Sequence, residues 1–224
     1  MRHLMQDSMD IPQYAYDRPL SKNTIIQCHV LPSPMIRRAV VLFRDPRDAT
    51  VSFYHKKVNY DKNFRGGKLF TVGDFRHDPD RDVKEDFYEF LKVHLVEPDH
   101  PRFTFGKFAN LWLAQENTCV AKYEDFKTEP AVQLRRLTDF VGADVSDEKI
   151  EFAVENNSFA NRTKRRSGKE RAPGESDNGQ FERKGIVGDW KNHFTNAAKK
   201  LFAQHEGQTL IKLGYEPDES WADR

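Results

Sequence analysis

The sequence predicts an α/β fold with a central parallel sheet. Three short apolar runs, each followed by a polar residue, lie at 24–28, 39–43 and 118–122. Continuous apolar runs of this length are typical of strands buried on both faces, as in parallel sheets. Segments with helical spacing of apolar residues separate them. Ligands of such folds bind at the carboxyl ends of the strands, where His29, Arg44 and Tyr123 stand.

The composition narrows the class of protein. With 224 residues, 38% hydrophobic and including 17 Phe, the chain can bury a sizeable core. Its 36 basic and 35 acidic residues nearly balance, which argues against a nucleic-acid or membrane partner. Cys28 and Cys119 lie in apolar segments and are interpreted as buried thiols rather than a disulfide framework. No run has the length of a membrane span and no signal-peptide core is present, so we expect a cytoplasmic protein.

The stretch AVVLFRDPRDATVSFYHKK at 39–57 organises the prediction. A strand runs into a tight turn, where Asp45 is a good N-cap, Pro46 a good first helical residue and Asp48 a first-turn acid. Two arginines and the hydroxyl of Ser52 then lie beside the free N–H groups of a helix N-terminus. This arrangement is typical of phosphate sites. An ordinary strand–helix connection with solvated arginines is the alternative.

The remaining elements follow in order. Residues 1–23 are predicted to be weakly structured. Helices are predicted at 83–95, around 108–112, from Pro130 to a stop at Gly142, after a Ser146 cap, and over 196–213.

Between them, residues 60–82 are predicted to form a long loop on the substrate side. This loop contains His77, Asp78, Asp80 and Asp82. Their spacing is not that of metal ligands on a helix or strand, so a solvated loop is favoured over a metal site.

Residues 162–180 form a flexible basic loop by composition. Its cations are Arg162, Lys164, Arg165, Arg166, Lys169 and Arg171. Next to an anion site such a loop could act as a mobile lid. The composition alone favours a solvated, disordered loop.

Four stretches, in order, give the chain a resemblance to a known family. They are CHVLPS at 28–33, VLFRDPRDATVSFYHK at 41–56, YEDFKTEP at 123–130 and RKGIVGDWKNHFT at 183–195. Together they resemble the sulfotransferases that use 3′-phosphoadenosine 5′-phosphosulfate (PAPS). The resemblance covers about 24 to 214. It implies a three-layer sandwich around a parallel sheet, similar to P-loop NTPases, in one domain at 24–216 with a tail at 217–224.

The resemblance also implies roles for individual residues. The nucleotide's 3′-phosphate would be bound by Arg44 and Ser52 on one side and by Arg183, Lys184 and Gly185 on the other. Tyr123 would lie beside the adenine, Phe159 would stack on it, Ser158 would also bind the cofactor, and His29 would be the general base. These roles suit the residue types. A phosphate dianion binds guanidinium groups and hydroxyls, and an acceptor hydroxyl needs a base that titrates near pH 7. No metal is implied.

Two departures from the family pattern are visible. The family's Tyr-Pro-Lys-Ser-Gly-Thr-Thr loop, whose lysine stabilises the leaving oxygen, has no counterpart before His29, and Lys22 does not replace it. The chain is therefore expected to be N-terminally truncated relative to the family. A start downstream of the true one is favoured over a real loss. In the dimerisation motif Lys191 and Thr195 remain, but Asn196 and Lys200 replace Val and Glu, so that dimer is not expected.

The leading functional hypothesis is a PAPS-dependent sulfotransferase acting on a hydroxyl or amine of a small molecule or a glycan. The alternative is a nucleotide-binding homologue that is catalytically impaired because the lysine loop is absent. A nucleotide kinase is disfavoured, because it too needs a phosphate loop and because the RKG…GDW stretch has no place in it.

Overall fold

A computed structural model gives the structure of the protein. It describes residues 30–34, 36, 38–64, 71–72, 75–96, 98, 103–169 and 182–224. In chain order these residues form β1 (Ala39–Phe43), α1 (Pro46–Phe64), β2 (Thr71–Val72), β3 (Phe75–Arg76), α2 (Val83–His94), α3 (Phe105–Leu113), β4 (Thr118–Lys122), α4 (Tyr123–Thr128), α5 (Pro130–Val141), α6 (Asp147–Asn156), α7 (Phe159–Thr163), a 3₁₀-helix (Asp189–Asn192), α8 (Asn196–Lys212) and a second 3₁₀-helix (Glu219–Asp223). The predicted strand at 24–28 and His29 lie outside the described residues.

Strands β1 and β4 pair in parallel, which confirms the predicted sheet type. Their register runs from Ala39 opposite Thr118 to Phe43 opposite Lys122. Both strands therefore end at the same edge. The polar residue that follows each strand must emerge there, as the rule for parallel sheets requires.

Strand β1 is buried on one face only. Val41 and Phe43 are 5% and 6% exposed and pack in a cluster with Trp112 of α3, whereas Val40 and Leu42 are 39% and 56% exposed. The prediction of burial on both faces is thus wrong for this strand. Successive side chains alternate between the faces, and the described elements cover only the face that carries Val41 and Phe43.

The larger core lies between α1, α2 and α8. Its fully buried aromatic side chains are Tyr54, Phe87, Phe90 and Phe202. Trp221 is 3% exposed in this core, and it lies in the 3₁₀-helix within 217–224. Packed structure therefore extends beyond residue 216, where we predicted a tail to begin.

The predicted helix ends have local causes. Thr104 and Thr195 accept hydrogen bonds from Lys107 N at 3.1 Å and Ala198 N at 3.2 Å, which caps α3 and α8. Helix α5 begins at Pro130 and ends at Gly142, whose φ of 74° lies in the left-handed region. Both ends of α5 agree with the prediction.

The segment predicted as a solvated loop at 60–82 is partly regular and partly buried. Helix α1 continues to Phe64, and β2 pairs antiparallel with β3. His77 is 9% exposed, and its Nδ1 lies 2.7 Å from Oδ2 of Asp86, an oxygen that also accepts a bond from the Tyr54 hydroxyl at 2.7 Å. The solvated interpretation is wrong for His77, because its partners come from α1 and α2. Among the described residues no acidic, histidine or cysteine cluster could hold a metal.

Two further predictions concern membrane-spanning segments and the cysteines. Over the part of the chain that the structure describes, no helix has the length and apolarity needed to cross a membrane. Cys119 in β4 is a free, buried thiol, as predicted, and Cys28 lies outside the described residues.

Candidate functional site

A cleft opens where β1 and β4 end. Arg44 follows β1 and Tyr123 follows β4, and the strand register places them side by side. The Arg44 guanidinium lies 4.8 Å from the centroid of the Tyr123 ring, a cation–π arrangement. The pattern of strands in the sequence was thus sufficient to predict that these two residues lie together.

The cleft encloses about 270 Å³ and gathers most of the predicted site residues. Seven of the nine line it: Arg44, Ser52, Tyr123, Phe159, Arg183, Lys184 and Gly185. Ser158 is adjacent in sequence and caps α7, where its Oγ accepts a bond from Asn161 N at 3.2 Å. His29 lies outside the described residues. The sequence analysis missed Glu182, Ile186 and Asp189, which also line the cleft.

A buried carboxylate joins the two walls of the cleft. Asp48, 1% exposed in the first turn of α1, accepts hydrogen bonds from Gly188 N at 2.7 Å and Trp190 N at 2.8 Å. Burial raises the pKa of the Asp48 carboxyl, and these two N–H bonds act in the opposite direction. We had interpreted Asp48 only as a first-turn acid, because its partners lie 140 and 142 residues away.

A second buried carboxylate contacts the cations of the opposite wall. Asp189, 2% exposed, accepts hydrogen bonds from Arg183 Nη2, from Lys184 Nζ at 3.1 Å and from Asn192 Nδ2 at 2.9 Å. Burial alone would raise its pKa. The bonds from Arg183 and Asn192 and the charge of Arg183 outweigh burial and hold the pKa of the Asp189 carboxyl well below its usual range. Asp189 is therefore an anion at neutral pH.

Phe159 and Gly185 pack closely against each other at the cleft wall. Gly185 has a φ of 66°, and a Cβ built on it would lie 2.6 and 2.8 Å from two ring carbons of Phe159. The Arg165 guanidinium lies 5.4 Å from the centroid of the same ring. Glycine is the only residue that fits at 185 without displacing the ring, since any side chain would overlap it and would also require left-handed backbone.

The described part of the basic loop is ordered against the cleft. Arg165 donates to the carbonyls of Glu182 at 2.6 Å and Arg183 at 2.8 Å. Gly168 N donates to Lys184 O at 2.8 Å. For 162–169 the prediction of a disordered loop is therefore wrong, because side-chain and backbone donors of this segment satisfy carbonyls of the cleft wall. The remainder, 170–180, lies outside the described residues.

His193 packs behind the cleft and should make stability depend on pH. It is 7% exposed, and its Nε2 lies 3.4 Å from Asp189 Oδ2. Burial lowers the pKa of His193, and the charges of Arg183 and Lys184 lower it further, while Asp189 opposes them. Because the folded state favours neutral His193, the stability that it contributes is present above the ordinary histidine pKa, near 6.5, and is lost below it.

We therefore expect the free energy of unfolding to fall between pH 7.5 and 5.5, and to fall less in a His193→Gln variant. Urea unfolding at both pH values measures the decline. His205→Gln, at an exposed position of α8, is the matched control and should decline as the unsubstituted chain does. Equal declines in all three proteins would contradict the role assigned to His193.

Together, the fold and the cleft define an α/β protein with a cationic cleft at the carboxyl ends of its parallel strands. More specifically, the chain belongs to the sulfotransferase family, because the profile of the Sulfotransferase domain matches residues 10–214. This result confirms the family that the four sequence stretches indicated.

Individual relatives support the assignment. Human sulfotransferase 1C2 is 36% identical over 217 residues, covering 85% of this chain and 67% of the relative. A flavonol sulfotransferase-like protein of Flaveria bidentis is 29% identical over 218 residues, covering 91% and 66%. Bovine sulfotransferase 1A1 is 27% identical over 155 residues, covering 58% and 52%. The chain thus spans about half to two thirds of the length of these relatives.

Solved structures show the same fold. Mouse sulfotransferase SULT7A1, complexed with PAP, superposes with a TM-score of 0.53 at 23% identity, covering 76% of this chain and 58% of that one. Retinol dehydratase, in complex with androsterone and the inactive cofactor PAP, superposes with a TM-score of 0.58 at 22% identity, covering 88% and 56%. The predicted α/β sulfotransferase fold is confirmed.

Proposed function

We propose that this chain is the nucleotide-binding part of a PAPS-dependent sulfotransferase, which moves a sulfuryl group to a hydroxyl or amine acceptor. The observation that supports this best is the convergence of seven predicted residues on one cleft, in a chain of the sulfotransferase family. When bound, PAPS supplies an activated sulfuryl group, and the proposed reaction uses no metal.

The residues of the cleft suit a phosphate dianion. Arg44 and Ser52 come from the β1–α1 side, and Arg183 and Lys184 come from the opposite wall. Guanidinium, ammonium and hydroxyl groups are the donors that phosphate oxygens prefer. Gly185 lines the same part of the cleft, directly after Arg183 and Lys184 in the chain. We propose that these five residues bind the 3′-phosphate.

Adenine fits the aromatic part of the cleft. Tyr123 and Phe159 both line it and offer ring faces and edges to a planar base. The Ser158 hydroxyl accepts from Asn161 N but retains its own O–H as a donor. We propose that Tyr123, Ser158 and Phe159 form the adenine subsite.

In the proposed reaction His29 takes the proton of the acceptor hydroxyl or amine. The acceptor oxygen or nitrogen forms a bond to sulfur, and the bond between sulfur and the 5′-phosphate oxygen breaks. Adenosine 3′,5′-bisphosphate (PAP) then leaves with the electron pair of that bond. In such a transfer the protein mainly positions the reactants and stabilises charge, and the cationic cleft suits this task.

The proposal also covers the domain bounds, the cellular location and the acceptor. We propose a single domain at 24–216 in the cytoplasm, with a small-molecule or glycan acceptor. The buried free thiol of Cys119 is compatible with a reducing compartment. Relatives named as flavonol sulfotransferases favour a small-molecule acceptor over a glycan.

Two measurements test the proposal. Calorimetry should detect binding of PAP to the chain, and labelled sulfate should pass from PAPS to at least one member of a panel of phenols, alcohols and amines. Absence of both binding and transfer would overturn the proposal. Binding of PAP without any transfer would favour the alternative, a nucleotide-binding homologue that is catalytically impaired.

Replacing His29 by alanine separates catalysis from binding. We expect a loss of about 100-fold or more in turnover, the usual contribution of a general base, with PAP affinity changed less than about twofold. His205→Ala, at an exposed histidine, should change neither quantity. A collapse of PAP affinity in His29→Ala would instead make His29 a structural residue.

A further inference from the structure

Asp189 is a buried anion inside a cleft that should bind another anion. It contacts the two cations of one wall, Arg183 and Lys184, within the six residues that precede it in the chain. A carboxylate here lowers the positive charge of the cleft, which by itself would weaken the binding of a phosphate. If Asp189 favours binding, its contacts must therefore supply a favourable contribution that offsets this cost.

Anchoring of the loop backbone is not that contribution. Asp48 accepts bonds from the backbone N–H groups of Gly188 and Trp190, which anchor the C-terminal end of the loop. The N-terminal end of the loop is anchored by residues 167–168: Gly168 N donates to Lys184 O, and the Ser167 hydroxyl donates to Gly185 O. The bonds that Asp189 accepts from Arg183, Lys184 and Asn192 instead come from side chains. Asp189 thus acts on where the cationic side chains lie.

Two adjacent cations need such a partner when they share a cleft. Arg183 and Lys184 repel each other and Arg44, and each carries about 2 kcal/mol of rotamer entropy that would be lost when a ligand orders it. A carboxylate that contacts both heads offsets the repulsion and holds them in the cleft in advance. Binding energy is then not spent on ordering them.

One bond to Asp189 does not by itself exhaust the donors of either cation. A guanidinium has five N–H donors and an ammonium has three. Because Lys184 Nζ contacts Oδ1 and Arg183 Nη2 contacts Oδ2, each carboxylate oxygen holds one head. The Asn192 amide, donating to Oδ1 at 2.9 Å, orients the carboxylate in turn.

We propose that Asp189 is a positioning residue of the cleft, which holds Arg183 and Lys184 in the place where they receive the 3′-phosphate of the nucleotide. This inference rests on the proposed function. It adds that selectivity for a 3′-phosphorylated nucleotide depends on an acidic residue that does not itself contact the phosphate.

Calorimetric titration of Asp189→Asn with PAP and with adenosine 5′-monophosphate, which lacks the 3′-phosphate, tests the inference. We expect PAP affinity to fall about tenfold or more, because the amide cannot hold two cations, while affinity for the monophosphate changes less than about twofold. The matched control is Asp147→Asn, which removes an exposed carboxylate that pairs with Arg135 outside the cleft. It should bind both nucleotides as the unsubstituted chain does.

A second variant guards against misfolding of the first. Asn192→Ala keeps every charge and removes one bond that orients Asp189, so we expect a smaller loss, about two- to fivefold, for PAP alone. Thermal unfolding checks that both variants are folded.

Either of two results would overturn the inference: PAP affinity in Asp189→Asn that equals or exceeds the unsubstituted value, or equal losses for the two nucleotides. An unsubstituted chain that binds neither nucleotide would overturn the proposed function as well, so the two failures can be distinguished.

Discussion

Replacing Arg47 by methionine is expected to lower the free energy of unfolding by about 3–5 kcal/mol, the usual cost of removing one partner of a buried ion pair. Arg47 is 2% exposed. Its guanidinium donates to both carboxylate oxygens of Asp45, from Nε to Oδ1 at 3.0 Å and from Nη2 to Oδ2 at 2.7 Å, and it also binds Glu216. Methionine fills a similar volume but leaves the Asp45 carboxylate without its cation and leaves Glu216 with the exposed Arg224 as its cation.

Part of the loss should come from the aromatic contacts of Arg47. The guanidinium carbon lies 3.9 Å from the centroid of the Trp190 ring and 4.7 Å from that of Trp221. This single side chain therefore joins the first turn of α1, the 3₁₀-helix after the cleft and the C-terminal 3₁₀-helix. Lysine is expected to restore little of the stability, since a point charge replaces neither the planar stacking nor the bidentate bond.

The matched control is Arg224→Met. Arg224 binds the same carboxylate, Glu216, at 3.4 Å, but its side chain is 60% exposed. We expect a loss of at most about 1 kcal/mol there, as for other exposed pairs. Urea unfolding of the two variants measures the difference, and equal losses would show that burial of Arg47 does not set its importance.

Replacing Gly185 by alanine should reduce affinity for PAP by about 30-fold or more, which corresponds to about 2 kcal/mol. The added Cβ would overlap the Phe159 ring, at 2.6 and 2.8 Å from two of its carbons, and the residue would be held at a φ of 66°. In the free protein we expect the ring to shift into the cleft, which it lines. A bound nucleotide closes that route, so the cost of overpacking, about 1–3 kcal/mol, appears on binding.

Two other glycines separate the overlap from backbone strain. Gly188 and Gly142 have φ values of 81° and 74°, and a Cβ on either would meet no atom within 4 Å. Alanine at these positions should cost stability but keep PAP affinity within about threefold, since only strain is added. Calorimetry on the three variants gives the comparison. If all three lose affinity equally, left-handed strain rather than the Phe159 contact is responsible.

Much of the cleft could be predicted from the sequence. The apolar runs at 39–43 and 118–122 coincide with β1 and β4, and parallel pairing then places Arg44 and Tyr123 at one edge. Pro130 and Gly142 bound α5 as predicted. The RKG stretch lies opposite Arg44 in the cleft, where the family resemblance placed it.

Errors arose where a residue's partners belong to a different structural element. The interpretation of His77 as solvated failed because its partner, Asp86, belongs to helix α2. The segment 162–169 looked disordered by charge, yet Arg165 binds carbonyls 17 and 18 residues away. In both cases a polar side chain is satisfied by tertiary contacts, and local composition carries no sign of them.

The sequence by itself determined strands β1 and β4, the ends of α5, the parallel sheet and the residues that meet at its edge, because periodicity, capping and strand ends are short-range properties. Only the tertiary structure decided which buried charges hold the cleft together. Asp48 clamps a loop 140 residues away, and Arg47 contacts two tryptophans from separate segments. The physical reason is that such polar groups can be buried only where packing brings their partners, and packing depends on the whole fold.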